Sequence, residues 1–173
     1  MQIQLSPPMR KEMTAELMQR IERSLREFPE LWDRPITIGL NRSDNLHGSA
    51  DSRNMTIRLN PRLRGGVAYA TIGHELTHLL QKPGLGIVPY GEEQCDIWTL
   101  ARSELFLDDR PFYLCAHLWK KKTWPSRANA VRSLCMQAIQ VRKTNRHYKL
   151  WLEQAIENYC SQRGEMSRLR KII

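Results

Sequence analysis

Acidic side chains are missing from a long stretch of this 173-residue sequence, since none occurs between Pro111 and Leu152. Residues 111–173 hold 13 Lys and Arg but three Glu, a net charge of +10, whereas residues 1–110 hold 14 basic and 15 acidic side chains. The overall charge of +9 therefore belongs to the C-terminal third. Such a segment could bind nucleic acid or another polyanion, or it could be a solvated basic surface.

Long apolar runs and a secretory signal are also missing. No apolar run approaches the roughly 20 residues needed to cross a bilayer, and the N-terminus lacks the basic and apolar stretches of a signal peptide. We therefore expect no membrane partner and a cytoplasmic location. The four cysteines, at positions 95, 115, 135 and 160, form no Cys-x-x-Cys pair, which favours reduced, buried thiols over disulfides.

The motif H-E-x-x-H occurs at residues 74–78, inside an apolar segment whose periodicity predicts a helix over residues 68–81. On a helix, His74 and His78 lie one turn apart on one face, so both imidazoles can bind one Zn²⁺ ion. Glu75 follows the first histidine and can accept a proton from a metal-bound water. The motif therefore predicts a zinc-dependent enzyme that hydrolyses peptide bonds, with one Zn²⁺ per chain.

A catalytic zinc site needs a third protein ligand, and the next acidic cluster, residues 92–96, opens a second predicted helix. Glu92 and Asp96 are spaced i, i+4, so one helical face carries both carboxylates. One of them can bind the metal while the other accepts a hydrogen bond from a histidine N–H. Glu93 is an alternative third ligand, and an acidic first turn that only stabilises its helix explains the charges as well.

These residues resemble the pattern of the gluzincin zinc metallopeptidases, which is H-E-x-x-H followed on a separate helix by E-x-x-x-D. The short spacing between the two helices is similar to that of the compact members, the minigluzincins and the ImmA/IrrE-type peptidases. The resemblance implies that His74, His78 and Glu92 are the metal ligands, that Glu75 is the catalytic base and that Asp96 orients His74. It extends to residue 107, and the first 60 residues match in element order only.

The predicted elements describe an α+β fold. A compact zincin-like domain over residues 1–110 carries a basic helical extension, residues 111–173, which packs on it. In order, the elements are a helix over residues 7–28, strands over residues 35–40 and 54–60, the two helices of the metal site, and helices over residues 127–143 and 145–160.

A peptide substrate needs a groove and a hydrogen-bond donor for the oxyanion of the reaction. By the resemblance, residues 55–59 form an edge strand whose free main-chain groups pair with the substrate. Tyr90, Tyr113 and His117 are candidate oxyanion donors, and each is also explained as a packing residue.

Three other functions fit the sequence. Residues 119–149 interleave cations with Trp119 and Trp124, a composition that can follow phosphates and stack on bases, so the chain could be a nucleic-acid-associated factor with a structural zinc. It could also be a zinc protein that binds a partner without cutting it. The third alternative is a latent protease whose cleft is covered by its own C-terminal helices.

Overall fold

The computed structural model describes residues 2–169, and the side chains of residues 2–162. This part of the chain is an α+β fold of six α-helices and a four-stranded mixed sheet, which confirms the predicted fold class. The strands are β1 (Gln2–Leu5), β2 (Pro35–Leu40), β3 (Gly48–Asp51) and β4 (Thr56–Leu59). The helices are α1 (Pro7–Glu12), α2 (Ala15–Arg26), α3 (Tyr69–Leu79), α4 (Glu92–Arg102), α5 (Ala128–Val141) and α6 (Tyr148–Leu169).

The sheet is parallel except at one edge. Its strand order is β1-β2-β4-β3, with β1 and β4 parallel to β2, and β3 antiparallel to β4. The edge strand on the α3 side is therefore β3, and β4 lies inside the sheet. The prediction that residues 55–59 form the edge strand is wrong. Residues 48–51 pair with β4 and cover its edge. They include a glycine and an aspartate, which have low strand propensity, so the sequence did not predict this strand.

The N-terminal segment departs from the predicted single helix. The strand β1 precedes the helical residues, and no local sequence pattern predicts this strand. Its four residues are held by parallel pairing with β2. The helix predicted over residues 7–28 is interrupted at Met13, whose backbone is extended. Thr14 then caps α2, because its hydroxyl accepts the backbone N–H of Leu17 at 3.1 Å. A threonine N-cap satisfies one of the backbone donors that a helix start leaves unpaired.

One apolar core joins α2, the sheet and α3. In α2 the buried residues Leu17, Ile21 and Leu25 recur every three or four positions, as the helical period requires. Each fully buried Leu, Ile or Phe stabilises the fold by about 1.5–3 kcal/mol relative to an exposed one. Other completely buried members are Met9, Phe28, Leu31, Ile36, Ile38, Ile57, Leu59, Ile72, Leu76, Leu79, Leu80 and Phe106. This core fixes α3 against the sheet.

A second core joins α4, α5 and α6. Its largest members are Trp119 and Trp124, whose rings lie 5.5 Å apart and whose exposed fractions are 4% and 2%. Each indole N–H donates to a backbone oxygen, of Leu114 at 2.7 Å and of Leu107 at 2.9 Å respectively. Further members are Ile97, Leu100, Ala128, Val131, Cys135, Ala138, Tyr148, Leu152 and Ile156. The C-terminal helices α5 and α6 thus pack in one core with α4.

The predicted division of the chain at residue 110 is crossed by this second core, since residues of α4 and of α5 both belong to it. The division into a zincin-like domain over residues 1–110 and an extension over residues 111–173 stays a prediction. None of the described helices combines the length and apolar character that crossing a bilayer requires. The cytoplasmic location also stays a prediction.

Candidate metal centre

Two histidines of α3 begin the site. His74 is buried and His78 half-buried, and their ring centroids lie 5.0 Å apart with the rings at 76°. The helix that carries them is held at its N-terminus by Asp108. This carboxylate accepts the backbone N–H groups of Tyr69 at 2.7 Å and Ala70 at 2.9 Å. Two otherwise unpaired donors of the first helical turn are satisfied in this way.

Glu92, in the first turn of α4, bridges the two histidines. Its Oε2 lies 3.0 Å from His74 Nε2 and 3.1 Å from His78 Nε2. Atoms that hold one zinc ion tetrahedrally at about 2.0–2.1 Å lie roughly 3.3 Å from one another. Both distances from Glu92 Oε2 are therefore close to the spacing of two ligands on one zinc ion, and imidazole nitrogen and carboxylate oxygen are atom types that zinc binds.

Asp96, one turn further along α4, holds the other ring nitrogen of His74. Its Oδ1 lies 2.8 Å from His74 Nδ1, while its Oδ2 accepts the backbone N–H groups of Tyr113 at 2.6 Å and Leu114 at 2.9 Å. A histidine that donates from Nδ1 presents the lone pair of Nε2 to a metal. Because two of the three donors come from residues 113 and 114, the C-terminal segment helps to build the site.

Gln81 makes the corresponding contact with His78. Its Oε1 lies 3.0 Å from His78 Nδ1, and its amide nitrogen donates to the backbone oxygens of Pro89 at 2.7 Å and Gly91 at 2.9 Å. The residue is 1% exposed. Gln81 therefore ties His78 to the loop that joins the two helices. Cys95 Sγ lies 3.3 Å from the same Nδ1.

Two donor sets share the histidines. His74, His78 and Cys95 place one donor atom each within 4.8 Å of one another, so this group could hold a metal ion. In the other set, Glu92 takes the place of Cys95. Burial and the neighbouring carboxylates raise the pKa of the Cys95 thiol, which disfavours the thiolate that a metal needs. Cys95 faces the Nδ1 side of His78, whereas Glu92 faces the Nε2 atoms of both histidines.

The carboxylates make the site attractive to cations. Burial lowers the pKa of His74, but its hydrogen bonds to Asp96 and Glu92 outweigh burial and raise the pKa to about 10. For the Glu75 carboxyl, burial raises the pKa to about 7. The charge of His74 lowers this pKa and the charge of Glu92 raises it. A divalent cation is stabilised by the same negative charges, so it competes with these protons and releases them on binding.

Glu75 lies against the edge strand β3 and is 7% exposed. A Cβ atom built on Gly48 would lie 2.6 Å from Glu75 Oε1, closer than real Cβ atoms come to any neighbour. Only glycine at position 48 therefore leaves room for the Glu75 side chain as it stands. The backbone of β3 therefore passes close to the Glu75 side chain at this position.

A cleft of about 460 Å³ opens over these residues, a volume within the range of small-molecule and peptide-side-chain pockets. Its walls come from the loop before β3 and β3 itself, from α3 and the loop that follows it, from Glu92 of α4, and from residues 112 and 113. No described residue of α5 or α6 lines it. The latent-protease hypothesis, which places those helices over the cleft, gains no support from this arrangement.

The candidate oxyanion donors separate into two groups. Tyr90 and Tyr113 line the cleft, whereas the exposed His117 is not among its lining residues. The ring of Tyr113 stacks on His74 with centroids 5.6 Å apart and an interplanar angle of 23°. Burial and the nearby carboxylates raise the pKa of Tyr113, so its hydroxyl keeps the proton that a donor needs.

Three further residues that the sequence singled out make other contacts. Glu93, the alternative third ligand, forms an ion pair with Lys149 of α6. Trp119 and Trp124, which the sequence presented as surfaces for stacking bases, are buried in the second core. Lys and Arg side chains of residues 119–149 remain as the basis of the predicted nucleic-acid contact.

Sequence reasoning missed three residues of the site. Gln81 follows His78 by three positions and Cys95 follows Glu92 by three, so helical spacing could have placed both beside the metal site. Gly48 had no such signal, because its role depends on a strand that the sequence did not predict.

Comparisons of the chain with known protein families, curated proteins and solved structures find no match.

Proposed function

We propose that this protein is a zinc-dependent peptidase of the gluzincin type, in which His74, His78 and Glu92 hold one Zn²⁺ and Glu75 is the general base. The observation that carries the proposal is the position of Glu92 Oε2, within 3.1 Å of both Nε2 atoms, beside a buried Glu75. Two histidines and one carboxylate leave a fourth position for water or substrate, as catalytic zinc sites do.

Zinc, when bound, polarises a peptide carbonyl and lowers the pKa of a water molecule towards neutrality. Glu75 accepts the proton of that water and returns it to the nitrogen of the leaving amine. Its burial keeps the carboxylate desolvated, and a pKa raised towards neutrality suits a group that must both accept and release a proton. Gly48 leaves the space beside β3 that the Glu75 side chain occupies.

The polar neighbours of the ligands supply orientation. Asp96 fixes His74, and Gln81 fixes His78, each through the ring nitrogen that faces away from Glu92. Tyr113, stacked on His74, is the better placed candidate for donating a hydrogen bond to the oxyanion, and Tyr90 is the alternative.

A polypeptide substrate is supported by the edge strand. β3 pairs with β4 on one side, lines the cleft on the other, and contacts α3. An extended peptide can add to such an edge through main-chain hydrogen bonds, which places its carbonyl groups over the histidines.

The proposal is tested by measuring zinc content and cleavage of unfolded casein for the wild type, Glu75→Gln and Glu93→Gln. Loss of a general base lowers the rate by about 10²–10⁴-fold, and we expect this for Glu75→Gln with zinc still bound. Glu93→Gln is the matched control, because the same change is made beside Lys149 rather than at the site. Full activity of Glu75→Gln, or no zinc-dependent cleavage by the wild type, contradicts the proposal.

Exposed cations support a second proposal, that nucleic acid binds to residues 119–149. Lys120, Lys121 and Lys122 are exposed before α5, and Arg142 and Lys143 are exposed after it. Phosphate contacts of this kind make the logarithm of the binding constant fall linearly with the logarithm of the salt concentration. Fluorescence anisotropy of a labelled oligonucleotide across a salt series measures this slope, and absence of binding at low salt rejects the proposal.

A further inference from the structure

Exposed apolar side chains gather at the mouth of the cleft. Among the described residues, eight large apolar side chains are strongly exposed, and four of these line this one cleft. They are Leu46, Tyr90, Phe112 and Tyr113, with exposed fractions of 52%, 84%, 43% and 51%. Isolated exposed apolar residues are ordinary in proteins, but a group of them around one concave site marks a binding surface.

The four side chains come from three separate loops. Leu46 precedes β3, Tyr90 belongs to the loop between α3 and α4, and Phe112 and Tyr113 follow the turn after α4. Their meeting is therefore a product of the tertiary fold and not the apolar stripe of a single helix. They surround the cavity that also contains His74.

Charged side chains are a minority among the described residues that line the cleft. Lys82 is the single Lys or Arg among the described residues that line it, and its carboxylates are Glu75 and Glu92, beside the histidines. Arg110 lies with its guanidinium 6.0 Å from the centre of the Phe112 ring, outside the lining. An acidic or basic substrate side chain would lose hydration against this apolar rim, and Lys82 is the single cation among the described lining residues that could offer an ion pair in return.

We propose that the cleft selects extended peptide segments that carry a bulky apolar side chain, aromatic or branched aliphatic, next to the bond that is cut. This inference rests on the proposed peptidase function. The edge strand β3 holds the peptide main chain, and the rim of Leu46, Tyr90, Phe112 and Tyr113 receives the side chain. Desolvation of the apolar side chain against this rim supplies the preference.

The test compares two internally quenched peptides that are identical except at the positions beside the cleavage site, which are Phe and Leu in one and Asp and Lys in the other. Zinc-loaded wild type is expected to cut the apolar peptide with a kcat/KM at least about tenfold higher, the smaller end of what an apolar contact contributes to specificity. Leu46→Ser and Phe112→Ser are expected to reduce this ratio, and Phe112→Leu to restore most of it. Leu150→Ser is the matched control, since Leu150 is 66% exposed on α6 and does not line the cleft.

The outcomes separate the two proposals. Cleavage of both peptides at similar rates, or a ratio that Leu46→Ser and Phe112→Ser leave unchanged, overturns the inference and leaves the peptidase function standing. Cleavage of neither peptide counts against the peptidase function. In that case, fluorescence anisotropy of both peptides on zinc-loaded Glu75→Gln decides the inference, because at least about tenfold tighter binding of the apolar peptide is expected and equal binding overturns it.

Discussion

Replacing Asp96 by asparagine removes a charge without changing the size of the side chain. The carboxylate takes three hydrogen bonds, from His74 Nδ1 at 2.8 Å and from the backbone N–H groups of Tyr113 at 2.6 Å and Leu114 at 2.9 Å. An amide offers one oxygen and one NH₂ group, so no orientation of asparagine accepts all three. This conflict has a different consequence in each of the two orientations.

If the amide oxygen faces His74, the NH₂ group faces the backbone N–H groups of Tyr113 and Leu114, which then have no acceptor. Each unsatisfied buried donor lowers the free energy of unfolding by about 1–3 kcal/mol. If the oxygen faces the backbone, the NH₂ group forces His74 to accept at Nδ1 and to carry its proton on Nε2, which blocks metal binding there. We therefore expect Asp96→Asn to lower zinc affinity by about 10–100-fold, the usual effect of losing such a partner.

The assay is zinc competition against a chromophoric chelator, with urea unfolding of the metal-free protein measured in parallel. Asp108→Asn is the matched control, because Asp108 accepts two backbone N–H groups of α3 but contacts neither histidine. This control is expected to lose about 0.5–2 kcal/mol of stability, as for a helix cap, with zinc affinity nearly unchanged. A folded Asp96→Asn variant that binds zinc as tightly as the wild type would show that Asp96 does not prepare His74 for the metal.

Three further predictions concern the same centre. Gln81→Leu removes the partner of His78 and should lower zinc affinity by about tenfold in the chelator competition, and unchanged affinity would contradict this role. Gly48→Ala should displace the Glu75 carboxylate and lower kcat by about tenfold while zinc affinity stays the same, and unchanged kcat would show that Glu75 is not held by this contact. Folding raises the pKa of His74 from 6.5 to about 10 and that of Glu75 from 4.5 to about 7 in the metal-free protein. Between these values the folded protein keeps a proton that the unfolded chain has released. The urea midpoint should therefore fall as pH rises from 4.5 to about 7 and from 6.5 to about 10. Bound zinc should abolish this fall, and a midpoint of the metal-free protein that rises with pH would contradict the assignment.

The residues of the proposed metal site were accessible from sequence because helical spacing is local. Positions 74 and 78, and positions 92 and 96, share a face on any helix, and the structure brings Glu92 and Asp96 to opposite ring nitrogens of His74. The α+β class followed from the same kind of periodicity. The identity of the metal and the reaction stay predictions.

What the sequence did not reveal depends on contacts between distant segments. β3 forms because β4 pairs with it, and Gly48 matters only once β3 lies beside Glu75. Trp119 and Trp124 sit among cations in sequence, yet the helices α4 to α6 enclose them, so composition misled about their exposure. The backbone donors to Asp96 come from a segment 17 and 18 residues away, which no local pattern indicates.

X-ray absorption spectroscopy of the zinc-loaded protein at the zinc edge identifies the atoms that bind the metal. We expect nitrogen and oxygen neighbours at about 2.0–2.1 Å, from His74, His78, Glu92 and a water, without sulfur. A sulfur neighbour at about 2.3 Å would identify Cys95 as the third ligand in place of Glu92. That result, or failure of the protein to bind zinc, would contradict the proposed centre.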